Sequence, residues 1–213
     1  MGEGAIVYYS TLSNLKQELG LRESYFTVTF TWVIISLFGS LPYILSGSIT
    51  HLPDALFETV SGFTTTGSSI LPSVEDLPKR ILFWRSMTHW IGGMGIIVLV
   101  VAILPLLRIG GYNLYKNEAS GISHEKLTPK MASTAKRLWG IYIALTFILV
   151  GFLLMGKMSL FDSLNHAFST ISTGGFSTKN SSATNFSPYI QYVLTLFMFL
   201  SGANFYLHYH FIK

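Results

Sequence analysis

Residues 54–67, DALFETVSGFTTTG, and residues 162–175, DSLNHAFSTISTGG, are two copies of one pattern. A constant offset of 108 makes four polar or glycine positions coincide: Asp54 with Asp162, Ser61 with Ser169, Thr65 with Thr173 and Gly67 with Gly175. Each copy begins as a short amphipathic segment, continues into a Thr/Ser/Gly stretch and lies between long apolar runs. This is the layout of a helix that dips part-way into a membrane and is followed by a backbone-lined ion filter.

The composition is that of an integral membrane protein. Of the 213 residues, 50% are hydrophobic and only 11% are charged, and the mean hydropathy is +0.48. Several uncharged apolar stretches reach the length of about 20 residues that a membrane-spanning helix needs. The net charge is +4, but the basic residues form no patch interleaved with aromatics, so no nucleic-acid partner is expected. The chain has no cysteine, and its start lacks the organisation of a signal peptide.

The apolar runs predict an all-α membrane protein of two tandem repeats, each consisting of helix, re-entrant pore helix, filter and helix. The four spans are predicted over residues 25–45, 81–107, 138–155 and 188–209. The two re-entrant helices are predicted over residues 54–64 and 160–171, with Asp54 as the N-cap of the first. The resulting organisation is an interfacial N-terminal segment 1–24 with a helix around 12–21, a first membrane repeat 25–107, a linker 108–137 and a second membrane repeat 138–213.

The charges predict the orientation of the chain in the membrane. The linker carries an excess of basic over acidic residues: Arg108, Lys116, Lys126, Lys130, Lys136 and Arg137 against Glu118 and Glu125. Short loops rich in Lys and Arg remain in the cytoplasm. We therefore expect a multi-pass protein with the linker and both termini cytoplasmic and both filters on the outer side.

The Thr/Ser/Gly stretches have the chemistry of a filter for a monovalent cation. Backbone carbonyls can replace the hydration shell of such an ion without a fixed charge, and Ca²⁺ or Mg²⁺ would require carboxylates. The predicted filter consists of Thr64, Thr65, Thr66, Gly67, Ser172, Thr173, Gly174 and Gly175. The residues expected to hold the ion are Thr65, Thr66, Gly67, Thr173, Gly174 and Gly175. Small residues are also common at helix-packing surfaces, but two copies at equivalent places favour the filter.

Several motifs outside the filters occur together with them: WR at residues 84–85, WIGGMGI at 90–96, AILP at 102–105, KLTP at 126–129 and AKRLW at 135–139. With VSGFTTTG at 60–67 and FSTISTGGFST at 168–178, they resemble the superfamily of Trk, Ktr and HKT potassium transporters, most closely the bacterial Trk-type pore subunit. The resemblance covers most of the chain beyond about residue 25.

The resemblance implies four repeats around one pore, in which Gly67 and Gly175 are two of four filter glycines. It also implies K⁺ uptake across the cell inner (plasma) membrane, membrane lipid as surroundings, and a cytosolic nucleotide-binding regulatory subunit as partner. No cofactor other than the transported K⁺ is implied, and no enzymatic activity. An offset of 107 would pair Gly67 with Gly174 instead; the offset of 108 is favoured because it also matches the pore-helix residues.

The chain holds two such repeats, so it reads as a fragment or a split product. Transport would then require a homodimer or assembly with the missing repeats. The alternatives are a non-conducting half-transporter and a less selective K⁺/Na⁺ pathway. Whether K⁺ moves by symport with H⁺ or Na⁺ stays open.

Other residues permit more than one interpretation. Glu58 and His166 either face the ion path or, as favoured, hydrogen-bond loops, and Arg85 is favoured as a packing or topology anchor. The Gly92-Gly93-Met94-Gly95 run favours close helix packing over a hinge. An intramembrane serine protease would use Ser61 with His89 or His166, and an ammonium channel would use the two histidines as a pair. His208 and His210 lie on different helix faces and do not indicate a metal site.

Overall fold

The computed structural model describes residues 21–103 and 127–203 of the chain. These residues form six α-helices and no β-strand, as the sequence predicted. The helices are α1 (Leu21–Leu45), α2 (Leu52–Phe63), α3 (Lys79–Ile103), α4 (Leu127–Met155), α5 (Leu160–Ile171) and α6 (Pro188–Gly202).

Long and short helices alternate in the predicted order, so that α1–α3 form the first repeat and α4–α6 the second. The short helix α5 has the predicted bounds. The short helix α2 begins earlier, with His51 as its N-cap and Pro53 in its first turn, so the prediction of Asp54 as N-cap is wrong. Proline fits the first helical turn because its missing N–H would be unpaired there. Asp54 lies in that turn instead, where a carboxylate complements the helix dipole.

Two long helices differ from the predicted spans. The helix α4 begins at Leu127, within the segment that the sequence assigned to the linker. The helix α6 ends at Gly202 because Ala203 is extended, with φ −73° and ψ 148°, so the predicted span over residues 188–209 is not one uninterrupted helix.

Some predictions concern residues outside the described ranges. They are the N-terminal segment up to residue 20 with its helix around 12–21, the end of the second span at 104–107, the linker over 108–126, and residues 204–213 with His208 and His210.

The chain divides into a unit of residues 1–35 and a unit of residues 36–213. In the first unit, the described residues belong to α1. The hydroxyls of Thr27, Thr29 and Thr31 each donate to the carbonyl four residues earlier, so these polar groups have partners within the helix, as a lipid environment requires.

In the second unit, α3 packs against α2, α4 and α5, and α5 also packs against α4 and α6. Each repeat has an apolar cluster of its own. Tyr43, Ile49, Ala55 and Ile81 form the cluster of the first repeat. The larger cluster of the second repeat includes Tyr142, Leu149, Leu153, Ile171, Leu194 and Phe197. The helix α3 therefore lies between the two short helices and joins the repeats.

Many large apolar side chains are exposed, while two charged side chains are buried. Met155, Tyr192 and Phe199 are each more than 75% exposed, and Glu58 and Arg85 are buried. Among the described residues, Tyr25–Leu45 and Ala135–Met155 are long and apolar enough to cross a membrane, and Pro188–Gly202 is apolar but shorter. An outer surface this apolar suits lipid better than water.

Candidate ion filter

Each short helix ends directly at a predicted filter. The helix α2 ends at Phe63, and α5 ends at Ile171. The stretches that follow, residues 64–69 and 172–177, are called the first and second candidate filters below. The C-terminus of a helix carries partial negative charge. Both candidate filters therefore begin at a point that favours a cation.

The backbone of the two candidate filters repeats with the offset of 108. The Thr66 N–H donates to the Ser61 carbonyl at 3.0 Å, and the Gly174 N–H donates to the Ser169 carbonyl at 2.8 Å. The same serines also support the far side of each stretch. The Ser61 hydroxyl donates to the Ser68 carbonyl at 2.6 Å, and the Ser169 hydroxyl donates to the Phe176 carbonyl at 2.5 Å. Gly67 therefore corresponds to Gly175, and Thr66 to Gly174.

The turn before each short helix repeats with a different offset. The Ser48 N–H donates to the Tyr43 carbonyl, and the Met158 N–H donates to the Leu153 carbonyl, which is an offset of 110. The short helices that follow return to the offset of 108, with N-caps His51 and Ser159. The first repeat is therefore two residues longer between Ser48 and its N-cap.

Positive φ values occur at two positions of each candidate filter, separated by one residue. They are 54° at Thr65 and 76° at Gly67, and 58° at Thr173 and 91° at Gly175. Glycine takes such values readily, but a β-branched residue does so only when its surroundings impose the conformation. Strain of this kind concentrates at functional sites. Its occurrence at both equivalent threonines marks the two stretches as the candidate site.

The eight predicted filter residues differ in exposure. Thr64, Thr66, Thr173 and Gly175 are exposed, Thr65 and Gly67 are half-buried, and Ser172 and Gly174 are buried. The Thr64 hydroxyl donates to the Val60 carbonyl at 2.7 Å. The Thr173 hydroxyl donates to the Ser172 carbonyl at 2.7 Å. These side chains support the local backbone and keep their oxygen lone pairs.

The two candidate filters touch each other. A β-carbon added at Gly67 would overlap the carbonyl oxygen of Gly174. Only glycine therefore allows this approach, which brings oxygen-rich backbone of the two repeats together. The oxygen at this contact is the backbone carbonyl of Gly174.

Glu58 of α2 and His166 of α5 occupy equivalent positions and hold the residues that end the candidate filters. The Ser69 hydroxyl donates to the Glu58 carboxylate at 3.0 Å, and the Ile70 N–H donates to it at 3.0 Å. In the second repeat, the Ser177 hydroxyl lies 3.5 Å from the His166 ring. Both side chains thus bond to loops, which is the interpretation that the sequence favoured.

Arg85 of α3 is buried and contacts both repeats. Its Nε donates to Glu58 Oε1 at 2.6 Å, and its Nη1 donates to the Ser177 carbonyl at 3.2 Å. Its guanidinium carbon lies 3.5 Å from the centre of the Phe176 ring. The ring of His89, one turn further along α3, stacks on the same phenylalanine at 3.8 Å.

The loops that follow the two candidate filters are joined by Asn180. Its side-chain oxygen accepts from the Val74 N–H at 2.8 Å, and its side-chain nitrogen donates to the Ser73 hydroxyl at 3.1 Å. The Asn180 N–H donates to Glu75 at 3.3 Å. The loops therefore hold the two repeats together beside the contact between the candidate filters.

The glycine run of α3 allows close packing, as the sequence favoured. A β-carbon at Gly92 would overlap the Phe63 carbonyl, and one at Gly93 would meet Ser172. The helix α3 thus lies against the ends of both short helices.

The family model described as TrkH, cation transport protein, matches residues 5–213. The chain belongs to the TrkH family. It is 45% identical over 197 residues to the Trk system potassium uptake protein TrkH of Salmonella typhimurium, a match that covers 91% of this chain and 41% of that protein. It is 41% identical over 212 residues to the protein of the same name from Halomonas elongata, covering 98% and 44%.

A solved structure agrees with the TrkH-family assignment. The crystal structure of the potassium transporter TrkH from Vibrio parahaemolyticus superposes with a TM-score of 0.77 at 39% identity, covering 91% of this chain and 39% of that chain. The chain therefore spans less than half the length of the relatives it matches. The resemblance to Trk-type transporters and the membrane-protein fold are confirmed.

Several residues of this TrkH-family chain were not predicted as site residues. Ser61 and Ser169 coincide in the sequence repeat, but the repeat did not predict that their hydroxyls hold the filter backbone. The contact of Arg85 with Phe176 and the joining of the loops by Asn180 had no signal in the sequence, because both join residues about 90 or more positions apart.

Proposed function

We propose that this chain provides half of a K⁺ uptake pore in the cell inner membrane. The observation that carries the proposal is the contact between two candidate filters of the same backbone conformation at Gly67 and Gly174. A backbone of alternating handedness aligns its peptide groups, N–H on one side and carbonyl on the other. With the carbonyls facing the ion path, both stretches offer the oxygen ligands that a weakly hydrated monovalent cation prefers.

The preference for K⁺ is supported by the relatives and by the filter chemistry. The relatives from Salmonella typhimurium and Halomonas elongata are named potassium uptake proteins. The candidate filters contain glycine and hydroxyl residues and no carboxylate, so they suit a monovalent rather than a divalent ion. The ion is expected to be held by Thr65, Thr66 and Gly67 of the first stretch together with Thr173, Gly174 and Gly175 of the second, which touches it at Gly67 and Gly174.

Two filter stretches line only part of a ring, so the proposed pore requires two further repeats, from a longer protein or a second copy. A groove of about 520 Å³ beside the second candidate filter supports this. It is lined by Thr173 and Gly175 of that filter and by Gln191 and Thr195 of α6. A groove with mixed apolar and polar lining beside a filter is where a neighbouring repeat would pack in a closed ring.

The proposed orientation places the candidate filters outside and both termini and the linker inside, from the distribution of Lys and Arg. A cytosolic nucleotide-binding regulatory subunit would then contact the inner side. Cysteine labelling with a membrane-impermeant maleimide tests the orientation. A cysteine at Asn185 should react in intact cells, whereas one at Lys116 should not.

The test of function is ion uptake by the longest reading frame that carries this sequence, expressed in bacteria that lack other K⁺ uptake systems. Expression of the protein should restore growth at low external K⁺. K⁺ and Rb⁺ should enter the cells far faster than Na⁺ or Li⁺. Equal uptake of all four ions would refute the K⁺ preference. A non-conducting half-transporter, the second candidate function, would be indicated by normal membrane insertion with no uptake of any of them.

The enzyme and ammonium-channel alternatives are not favoured by the contacts. The Ser61 hydroxyl donates a hydrogen bond to the Ser68 carbonyl, so it is not placed as a nucleophile activated by a histidine. His89 stacks on Phe176, and His166 lies against Ser177 and Phe186. Each histidine thus has a role in supporting the second candidate filter and its loop.

A further inference from the structure

Arg85 and Glu58 differ from the other charged residues near the candidate filters in their burial. Its side chain is 4% exposed, and the Glu58 side chain beside it is fully buried. Removing two charges from water is costly, and well-packed apolar residues of similar volume are often as stabilising as a buried ion pair. Stability alone therefore gives no reason for a charged pair at this place.

The second repeat shows that the fold does not require the pair. The helices α3 and α6 can be aligned by the backbone hydrogen bonds at their starts. In α3 the Leu82 N–H donates to the Pro78 carbonyl, and in α6 the Gln191 N–H donates to the Ser187 carbonyl. With these two bonds aligned, Arg85 of α3 corresponds to Leu194 of α6, which is a buried apolar residue. The position of Glu58 is taken there by His166.

The partners of the pair lie at equivalent places in the two repeats. Glu58 holds Ser69 and Ile70, which end the first candidate filter and begin its loop. Arg85 holds the Ser177 carbonyl and the Phe176 ring, which end the second. The bond between Arg85 and Glu58 therefore joins the ends of both candidate filters by a short path through side chains.

Arginine suits this task better than lysine. Its planar guanidinium donates through Nε to Glu58 and through Nη1 to the Ser177 carbonyl while it stacks on an aromatic ring. A lysine ammonium is a point charge on a flexible stem and cannot satisfy the three contacts together. Three contacts from one rigid group fix the distance between the elements that they hold.

We propose that Arg85 is a positioning residue that sets the spacing of the two candidate filters and thereby the preference for K⁺ over Na⁺. The inference rests on the proposed function. Both the cavity-size and the ligand-field accounts of selectivity depend on where the carbonyl oxygens stand. A site with a loosened supporting shell loses its specificity before it loses its fold.

The main test compares Arg85→Lys with the double variant Glu58→Gln/Arg85→Met in the full reading frame. The lysine keeps a charge opposite Glu58 but gives up the Ser177 and Phe176 contacts. The double variant removes both charges, so no unpaired charge is left inside. Both should reach the membrane, and the ratio of K⁺ to Na⁺ uptake should fall roughly 2- to 10-fold, the value of one net hydrogen bond.

Arg80→Gln is the matched control, because Arg80 is an exposed arginine near the start of the same helix. Its uptake ratio should equal that of the unsubstituted protein. If the double variant or Arg85→Lys keeps that ratio, Arg85 is only a folding anchor and the inference is wrong. If the unsubstituted protein itself fails to discriminate K⁺ from Na⁺, it is the proposed function that fails.

Phe176→Leu serves if the Arg85 variants do not accumulate. It leaves the ion pair intact and keeps an apolar side chain of similar size, but it removes the stacking with Arg85 and His89. The ratio should fall in this variant too. An unchanged ratio in a stably inserted Phe176→Leu protein contradicts the inference.

Discussion

The residues that end each candidate filter are held from the short helix before it, by Glu58 in the first repeat and by His166 in the second. The backbone supports are shared, since Ser61 and Ser169 donate to equivalent carbonyls. The side-chain supports are not shared, because a buried ion pair serves one repeat and a single histidine the other. Local hydrogen bonds thus define the filter conformation, and the side chains behind it define how the repeats meet.

The largest expected difference between the repeats is at the filter glycines. Gly67→Ala should reduce K⁺ uptake more than about 10-fold, because alanine costs about 1–2 kcal/mol at positive φ and its β-carbon overlaps the Gly174 carbonyl. At Gly175 a β-carbon meets no described atom within 4 Å, so Gly175→Ala should cost only the conformational strain. K⁺ uptake and thermal unfolding in detergent should be measured for both variants. Equal losses would mean that the Gly67 contact is unimportant.

A smaller difference is expected at the residues behind the loops. Glu58→Gln leaves the Arg85 guanidinium buried without an opposite charge, which should lower the free energy of unfolding by about 3–5 kcal/mol. His166→Gln loses one hydrogen bond and should cost about 1 kcal/mol. Thermal unfolding monitored by fluorescence-detected gel filtration compares them. A His166 variant as unstable as the Glu58 variant would contradict the assigned asymmetry.

At the two serines Ser61 and Ser169, the larger loss of stability is expected in the second repeat. The Ser169 bond to the Phe176 carbonyl is buried, whereas the Ser61 bond to the Ser68 carbonyl is only partly so. Ser169→Ala leaves a buried carbonyl unpaired and should cost about 1–3 kcal/mol. Ser61→Ala should cost less, since Ser68 is exposed and water can replace the hydroxyl. The same unfolding assay tests the order, and a larger loss for Ser61→Ala would reverse it.

The smallest difference is expected at the first turns of the short helices. The Asp162 carboxylate accepts from the hydroxyls of Ser159 and Thr178, each at 2.7 Å. Asp54, its counterpart, follows an N-cap without a side-chain bond. Asp162→Asn should therefore cost about 1 kcal/mol, and Asp54→Asn less than about 0.5 kcal/mol, the size of a screened dipole effect. Equal losses in the unfolding assay would contradict this.

The pH dependence of the Asp162 contribution has a definite sign. Partial burial raises the pKa of its carboxyl, but the hydrogen bonds from Thr178 and Ser159 and the nearby charges, including that of Lys179, together outweigh this, so the pKa lies below its ordinary value of 3.8. A group whose pKa is lowered on folding stabilises the folded state above the unfolded pKa. The difference between the unsubstituted protein and Asp162→Asn should be constant near neutral pH and disappear only as the pH falls below about 4.

Much of the fold could be predicted from the sequence because its signals are local. Apolar runs gave the order of helices, and the bounds of α5 agree with those predicted. Boundaries failed where a local signal was misread, as at Asp54, where Pro53 already begins the helix. The end of α6 at Gly202 could not be read from an apolar run that continues past it.

The candidate filters could be located from the repeat, but not their conformation. Positive φ at Thr65 and Thr173 is opposed by the preferences of threonine, so no propensity indicates it. The strain is imposed by hydrogen bonds to residues of the preceding helix, such as the one that the Thr66 N–H donates to the Ser61 carbonyl. The contacts of Arg85 and Asn180 depend on how the repeats pack, which no local pattern records.

The two residues that distinguish the approach to α2 from the approach to α5 show where the chain can change length. The helix and the filter after it keep the same spacing in both repeats, while the connection before them does not. Thr50, in the longer connection, is exposed. In the proposed orientation this connection faces outward, so it is the place to insert an epitope tag or a fluorophore attachment site without changing the candidate filters.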